Sequence, residues 1–160
     1  MILRGLTLWR PWAASIVHGP KRVENRPWAP PVAHVRAGLW IALHAGQRWD
    51  EEGASFITDV GKWKEASERL DDDECDESCW PYEWAVQGIV GVARVERVWK
   101  FDSLSDEGLP GMEWAFGTYC WDLADVRALP EPIPCRGRQM LWTLPAEIEA
   151  RLLPLCAKEA

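Results

Sequence analysis

The segment Gly19-Pro-Lys21-Arg-Val-Glu24-Asn-Arg26-Pro-Trp28 sets a carboxylate between two long cations. Side chains alternate faces along a strand, so Glu24 and Arg26 share one face. Lys21 would point the other way in a regular strand, but it swings to the same side if residues 19–21 are still turning. A carboxylate held between two cations stays ionised and orients their donors. Such a trio could read a base edge: Glu24 would accept from an exocyclic amine and Arg26 would donate a bidentate pair. It could equally run chemistry. A lysine desolvated beside Arg26 has a lowered pKa and serves as base or nucleophile, with Glu24 as its acid–base partner. A plain surface salt-bridge cluster is the third reading of the same residues.

Other reactive constellations are missing. The chain has no Gly-rich phosphate loop, no Gly-x-Ser-x-Gly elbow and no His-Glu-x-x-His. Cys75 and Cys79 stand within metal-ligand spacing, but no second pair follows, and His18, His34 and His44 are not spaced as ligands. No metal and no cofactor are therefore expected. Cys75, Cys79, Cys120, Cys135 and Cys156 are odd in number and irregular in spacing, which suits reduced thiols in the cytoplasm better than a disulfide framework. Tryptophan is unusually common: 12 Trp stand against 3 Phe and 2 Tyr, enough to line an aromatic cleft.

Charge divides the chain. Residues 50–83 hold 13 Asp/Glu and 3 Lys/Arg, so one segment sets the net charge of −7. Residues 1–49 hold 7 Lys/Arg and a single acidic residue, Glu24. A basic N-terminal third is compatible with a phosphate-bearing partner, although it could simply be a solvated face. The overall acidity argues against a broad nonspecific nucleic-acid coat and favours a small footprint, such as one nucleoside. The run Asp71-Asp-Asp-Glu-Cys75-Asp-Glu-Ser78 reads as an exposed, mobile insertion around residues 71–79. It lacks the spaced ligands and turn glycine of a calcium loop. Docking of a basic protein partner, of unknown identity, is the rival use of that loop. No apolar run approaches the roughly 20 residues of a membrane span, and no secretory signal is visible.

The elements that must position these residues follow from pattern. Leu6–Trp9 predicts a strand, and Pro11 suits the first turn of a helix over Trp12–His18, ended by Gly19. Pro27 biases Arg26 towards extended backbone. Gly38–Ala45 is continuously apolar, as in a strand buried on both faces. Residues 48–60 and 62–70 read as helical, and 80–84 as an aromatic turn. Gly88–Phe101 is the longest strand, with Gly91 at a candidate bulge. Tyr119–Leu123 is a further strand, Pro130, Pro132 and Pro134 a stiff connection, Met140–Leu144 a last strand and Pro145–Leu153 a terminal helix. The whole chain, 1–160, reads as a single mixed α+β domain with a curved sheet or small barrel and flanking helices.

In that order the blocks resemble a known family. Leu6-Thr-Leu-Trp-Arg-Pro-Trp-Ala13 followed by Gly19-x-Lys21-x-x-Glu24-x-Arg26-x-Trp28 is similar to the N-terminal signature of the ASCH domain, in the PUA-like superfamily of small β-barrels. Leu39-Trp-Ile-Ala-Leu-His44-Ala45 and Gly88-Ile-Val-Gly-Val-Ala93 resemble the strands that follow. Trp121-x-Leu123, Leu129-Pro-Glu-Pro-Ile-Pro-Cys-Arg-Gly137 and Leu141-Trp142 resemble its closing segment, so the likeness covers roughly residues 3–147. It implies a PUA-like barrel with a cleft beside the signature, next to the first helix, that binds RNA, a nucleoside or a modified nucleobase. Lys21, Glu24 and Arg26 would line the cleft, with Trp12, Trp28 and His44 as walls and Tyr119 as a further candidate. Arg136 and Arg138, beside Gly137, could touch phosphate or form an exposed basic loop. His44 could equally be a satisfied core histidine. One branch of the family is enzymatic and resembles an amidohydrolase that removes acyl groups from the exocyclic amine of acetylated cytidine, using a Lys, a Thr and a Glu. Lys21 matches the Lys, Glu24 stands where the Thr would be, and Glu113 is a candidate for the Glu. Ribonuclease activity is the other enzymatic implication, and the chain shows no evident His pair for it.

Overall fold

A computed structural model describes residues 1–59, 81–102 and 112–157. In chain order the elements are β1 (Ile2–Arg10), α1 (Trp12–Val17), β2 (Val23–Arg26), α2 (Val32–Arg36), β3 (Leu39–Trp49), α3 (Glu51–Asp59), α4 (Tyr82–Ala85), β4 (Gly88–Lys100), β5 (Tyr119–Ile133), β6 (Leu141–Trp142) and α5 (Ala146–Ala157). The class is mixed α+β. No described helix is long and apolar enough to cross a membrane. The helix expected at 62–70 and the acidic insertion at 71–79 lie outside the described residues.

The strands form one six-stranded sheet in the order β2-β5-β4-β3-β1-β6. β1 and β3 are parallel, and every other neighbouring pair is antiparallel. Alternation along β3 feeds two cores, as expected of a strand buried on both faces. Leu39, Ile41 and Leu43 join Leu6, Leu8, Ile16, Val95 and Trp121 on one face. Trp40 and Ala42 join Leu3, Val92, Trp142, Ile148 and Leu152 on the other, where α5 packs. α1 lies across the first face, against β1, β3, β4 and β5. Its close approach is allowed by Gly91: a Cβ there would stand 2.9 Å from Val17 Cγ2 and 2.6 Å from the Arg127 carbonyl oxygen. The β4–β5 register slips between Ile89 and Gly91, where the sequence marks a bulge.

Among the described residues the expected barrel does not form. The sheet stays open, because its edges offer too few ladder groups to zip together. β2 has four residues and is followed by Pro27, which has no N–H, and β6 has two residues, far short of the strand expected over Met140–Leu144. A side chain spans the gap instead: Arg26 Nη2 on β2 donates to the Thr7 carbonyl oxygen on β1 at 3.0 Å. The sheet therefore curls round α1 until β2 faces β1 with a cleft between them.

Three other expectations change. Pro130 and Pro132 are part of β5, not a connection after it. β2 covers only Tyr119–Asp122, so the later half of β5 has one open edge on which a proline costs no ladder bond. The strand β3 runs on through Arg48 and Trp49, so α3 starts at Glu51, where the Asp50 carboxylate accepts from the Gly53 N–H at 2.9 Å as a helix cap. The aromatic turn at 80–84 contains a single helical turn, α4.

Candidate functional site

The connection from α1 to β2 is a turn, and the Lys21 backbone N–H donates to the Ser15 carbonyl at 3.0 Å, tying it to the helix. Lys21 is therefore off the regular alternation of β2 and reaches the side that carries Glu24. Its Nζ donates to Glu24 Oε2 at 2.9 Å and to the Val23 carbonyl oxygen. Arg26 Nε sits 2.9 Å from the other carboxylate oxygen, Oε1, as an ion pair whose N–H is not aimed along the contact. Lys21 is 1% and Glu24 5% exposed, so this is no surface cluster.

Burial sets the protonation states. Desolvation pushes the Lys21 ammonium below its usual range, and the Glu24 carboxylate only partly opposes that. Desolvation alone would raise the Glu24 carboxyl, but the Lys21 and Arg26 cations outweigh it and hold it below the ordinary value. The carboxylate is thus secured, while the lysine is the group whose charge is easiest to remove. An ammonium has three donors. Two are taken among the described residues, which leaves one for a ligand.

A small pocket of about 180 Å³ opens over this trio. Trp12 and Phe116 form its aromatic walls, with Trp9, Asn25 and Asp50 completing it. The Trp12 ring lies 5.6 Å from Lys21 Nζ and is fixed by donation from Nε1 to Asp50 Oδ2 at 2.7 Å. Phe116 is 6.0 Å from Trp12 between ring centres and 41% exposed. It is held by Asn25, which alternates to the other side of β2: its Nδ2 donates to the Trp114 carbonyl at 2.8 Å, and its Oδ1 accepts from the Phe116 N–H at 2.9 Å.

Trp9 and Arg26 also line a second, larger cleft of about 1120 Å³. Its cations are Arg26, Arg48, Arg136 and Arg138, and no Asp or Glu lines it among the described residues. Trp28 forms part of the wall, packed edge-on against Trp121 at 5.0 Å. Arg48 stacks 3.7 Å over the Trp9 ring. His44 lies in the cleft floor, 4% exposed, with Nε2 at 3.1 Å from the Cys135 carbonyl and its ring edge-on to Trp142.

The structure thus gathers Trp12, Lys21, Glu24 and Arg26 in one pocket, and Trp28, His44, Arg136 and Arg138 in the adjoining cleft. Tyr119 lines neither cavity. It pairs with Arg26 across the β2–β5 ladder, with Lys100 over its ring. Glu113 is exposed and outside both cavities. Among the described residues, no group of three or more His, Cys, Asp or Glu could hold a metal ion. Sequence reasoning missed Trp9, Asn25, Asp50 and Phe116. Asn25 lay inside the motif, but its use depends on a loop about 90 residues away, which no spacing reveals.

The fold and this curled, signature-lined cleft define a class. The ASCH domain family matches residues 6–134, and the chain belongs to that family. A solved ASCH protein from Zymomonas mobilis, crystallised as a serine-to-alanine mutant, is similar in fold at a TM-score of 0.50. The alignment covers 96% of this chain and 95% of that one, with 17% sequence identity. Comparison with curated proteins by sequence finds no match.

Proposed function

We propose that this ASCH domain is a binding module for a nucleobase, plain or modified, carried by an RNA strand. The base enters the 180 Å³ pocket, stacks against Phe116, which is 41% exposed, beside Trp12, and meets the donors of Lys21 and Arg26. The sugar–phosphate backbone then runs past Trp9 into the larger cleft. Each stacked base contributes about 1–3 kcal/mol. One observation carries the reading: a cleft of about 1120 Å³ that, among the described residues, four arginines and no carboxylate line, in a protein of net charge −7. That volume stands at the upper end of the ~300–1,000 Å³ of ordinary small-molecule sites, so the arginine lining and not the size favours a polyanion. The block order is similar to that of the endothelium and lymphocyte associated ASCH protein, and the free thiols Cys135 and Cys156 suit a reducing, cytoplasmic setting.

The test is fluorescence anisotropy of a labelled single-stranded RNA across a salt series. For single strands, log affinity falls with log salt by about 0.7 per phosphate contact. Arg136→Ala with Arg138→Ala, both exposed side chains, should weaken binding and flatten that slope by about 1.4. Binding that ignores salt, or a double variant with an unchanged slope, would remove the RNA reading.

The buried Lys21–Glu24 pair favours a second reading: a hydrolase acting on acylated cytidine-type nucleosides or on RNA, with Lys21 as base or nucleophile and Glu24 as its partner. His44 is the only histidine lining either cavity among the described residues, so a ribonuclease built on two histidines is not supported. Lys21→Ala should abolish turnover. Product formation surviving that change would exclude the assignment.

A further inference from the structure

Between β1 and β2 lies a seam where two strand edges face each other without pairing. Alternation fixes which main-chain groups look into it, because successive residues of a strand turn their N–H and C=O to opposite sides. On β1 the Ile2 N–H bonds the Gly38 carbonyl, and the Arg10 carbonyl accepts from the Asp50 N–H, so the even-numbered residues are turned towards β3. Thr7 and Trp9 are therefore turned towards the seam, where β6 covers only Gly5 and Leu6. Just before β2 the Arg22 carbonyl accepts from the Leu123 N–H. That turns Glu24 and Arg26 towards β5, and Val23 and Asn25 towards the seam.

Two cations cap one carbonyl on each edge. Arg26 Nη2 donates to the Thr7 carbonyl at 3.0 Å, and Lys21 Nζ donates to that of Val23. The main-chain N–H and C=O of Trp9 and of Asn25 are left, without a hydrogen-bond partner among the described residues. Both residues line the pocket of about 180 Å³. The pocket thus holds a donor beside an acceptor on each of its two strands. What fits is set by how little edge is open. A peptide adding as a strand needs several consecutive open residues, and the capping cations leave one residue on each side. A nucleobase suits the gap: its edges carry neighbouring donors and acceptors, and its faces stay free to stack on Phe116.

We infer that the base lies in the seam as a rung, its edges hydrogen-bonded to the Trp9 main chain of β1 and the Asn25 main chain of β2. The inference rests on the nucleobase reading above and adds what reads the base: the backbone of both strands, beside the side chains of the cation trio. The ligand completes the ladder that β1 and β2 leave open. No proton is transferred and no bond is broken.

The experiment follows amide hydrogen exchange by NMR on the full chain, alone and with short single-stranded RNA homopolymers of A, C, G and U. Without RNA the Trp9 and Asn25 amides should exchange fast, whereas the Glu24 amide, opposite Trp121 in the ladder, should be slow. With the homopolymer that binds best, both fast amides should slow by about tenfold or more, the scale of one well-made hydrogen bond. A second comparison separates bonding from mere shielding. Trp9→Ala and Trp9→Pro both lose the indole, but only proline lacks the N–H. Because that N–H faces the seam, proline there costs β1 no ladder bond. Trp9→Pro should bind RNA about tenfold more weakly than Trp9→Ala. Should Trp9→Pro fail to fold, exchange on the native chain still decides. Binding that leaves either amide as fast as before, or equal affinity in the two folded variants, overturns the rung and leaves the RNA reading standing. Absence of binding to any homopolymer overturns the RNA reading and the rung with it.

Discussion

Glu24 is the group on which the site's electrostatics depend, and Glu24→Gln is the perturbation that exposes it. The carboxylate is 5% exposed, and both of its oxygens face cations at 2.9 Å. Substituting glutamine keeps the shape but leaves Lys21, 1% exposed, without its counter-charge. Removing one partner of a buried ion pair costs about 3–5 kcal/mol, because the remaining charge stays desolvated. A lysine can escape that cost by losing its proton, so the penalty should depend on pH. Lys21 already has a lowered folded-state pKa, and without Glu24 it falls further. Between that folded value and the unfolded value near 10.4, the unfolded chain binds more protons than the folded one, so stability rises with pH. The assay is urea unfolding followed by tryptophan fluorescence at pH 7 and 9. Glu24→Gln should be about 3–5 kcal/mol less stable than wild type at pH 7 and should recover part of that at pH 9. Adding Lys21→Met should restore much of the loss, since removing both partners leaves nothing unpaired. A loss below about 1 kcal/mol with no pH dependence is the signature of an exposed pair, and it would refute the buried-trio reasoning.

Wild type should show the opposite limb in acid. Glu24 has a folded pKa below its usual value of 4.5, so its contribution is present above that pH and is lost as pH falls through the lowered folded value. Unfolding curves between pH 6 and 3 should show this decline, and Glu24→Gln should lack that component. Asn25→Ala removes the two hydrogen bonds that anchor Trp114 and Phe116, at a cost of about 1–3 kcal/mol. Amide exchange at Phe116 should quicken and base affinity should fall, even though Asn25 makes its bonds away from the cation trio.

The fold was legible in the sequence where local chemistry decides structure. Pro11 and Gly19 bracket α1, and the apolar run 39–45 lies in a doubly buried strand. It failed where the outcome depends on a neighbour. The prolines of β5 are tolerated only because β2 is too short to reach them. Closure into a barrel depends on whether two edge strands can pair, and strands of four and two residues cannot. Family likeness predicted the closed form, whereas ladder length decided the open one.

The site divides in the same way. Glu24 and Arg26 share a face by simple alternation, so their meeting could be read from spacing. Lys21 joins them only because its backbone is tied to Ser15, which makes a turn of what the pattern could draw as strand. Tyr119 shows the limit from the other side. It is opposite Arg26 in the ladder, yet it lines neither cavity, so adjacency in register is not adjacency in a pocket. Trp9 is the converse case. As an exposed tryptophan at the end of an apolar strand it has no distinguishing spacing, but it lines both cavities and carries Arg48 on its ring. A side chain placed there couples stacking in the small pocket to charge in the large one. Loss of either partner should therefore be felt in both, and a Trp9→Ala, Arg48→Ala double-mutant cycle on RNA affinity should be non-additive. Strict additivity would separate the two cavities into independent sites.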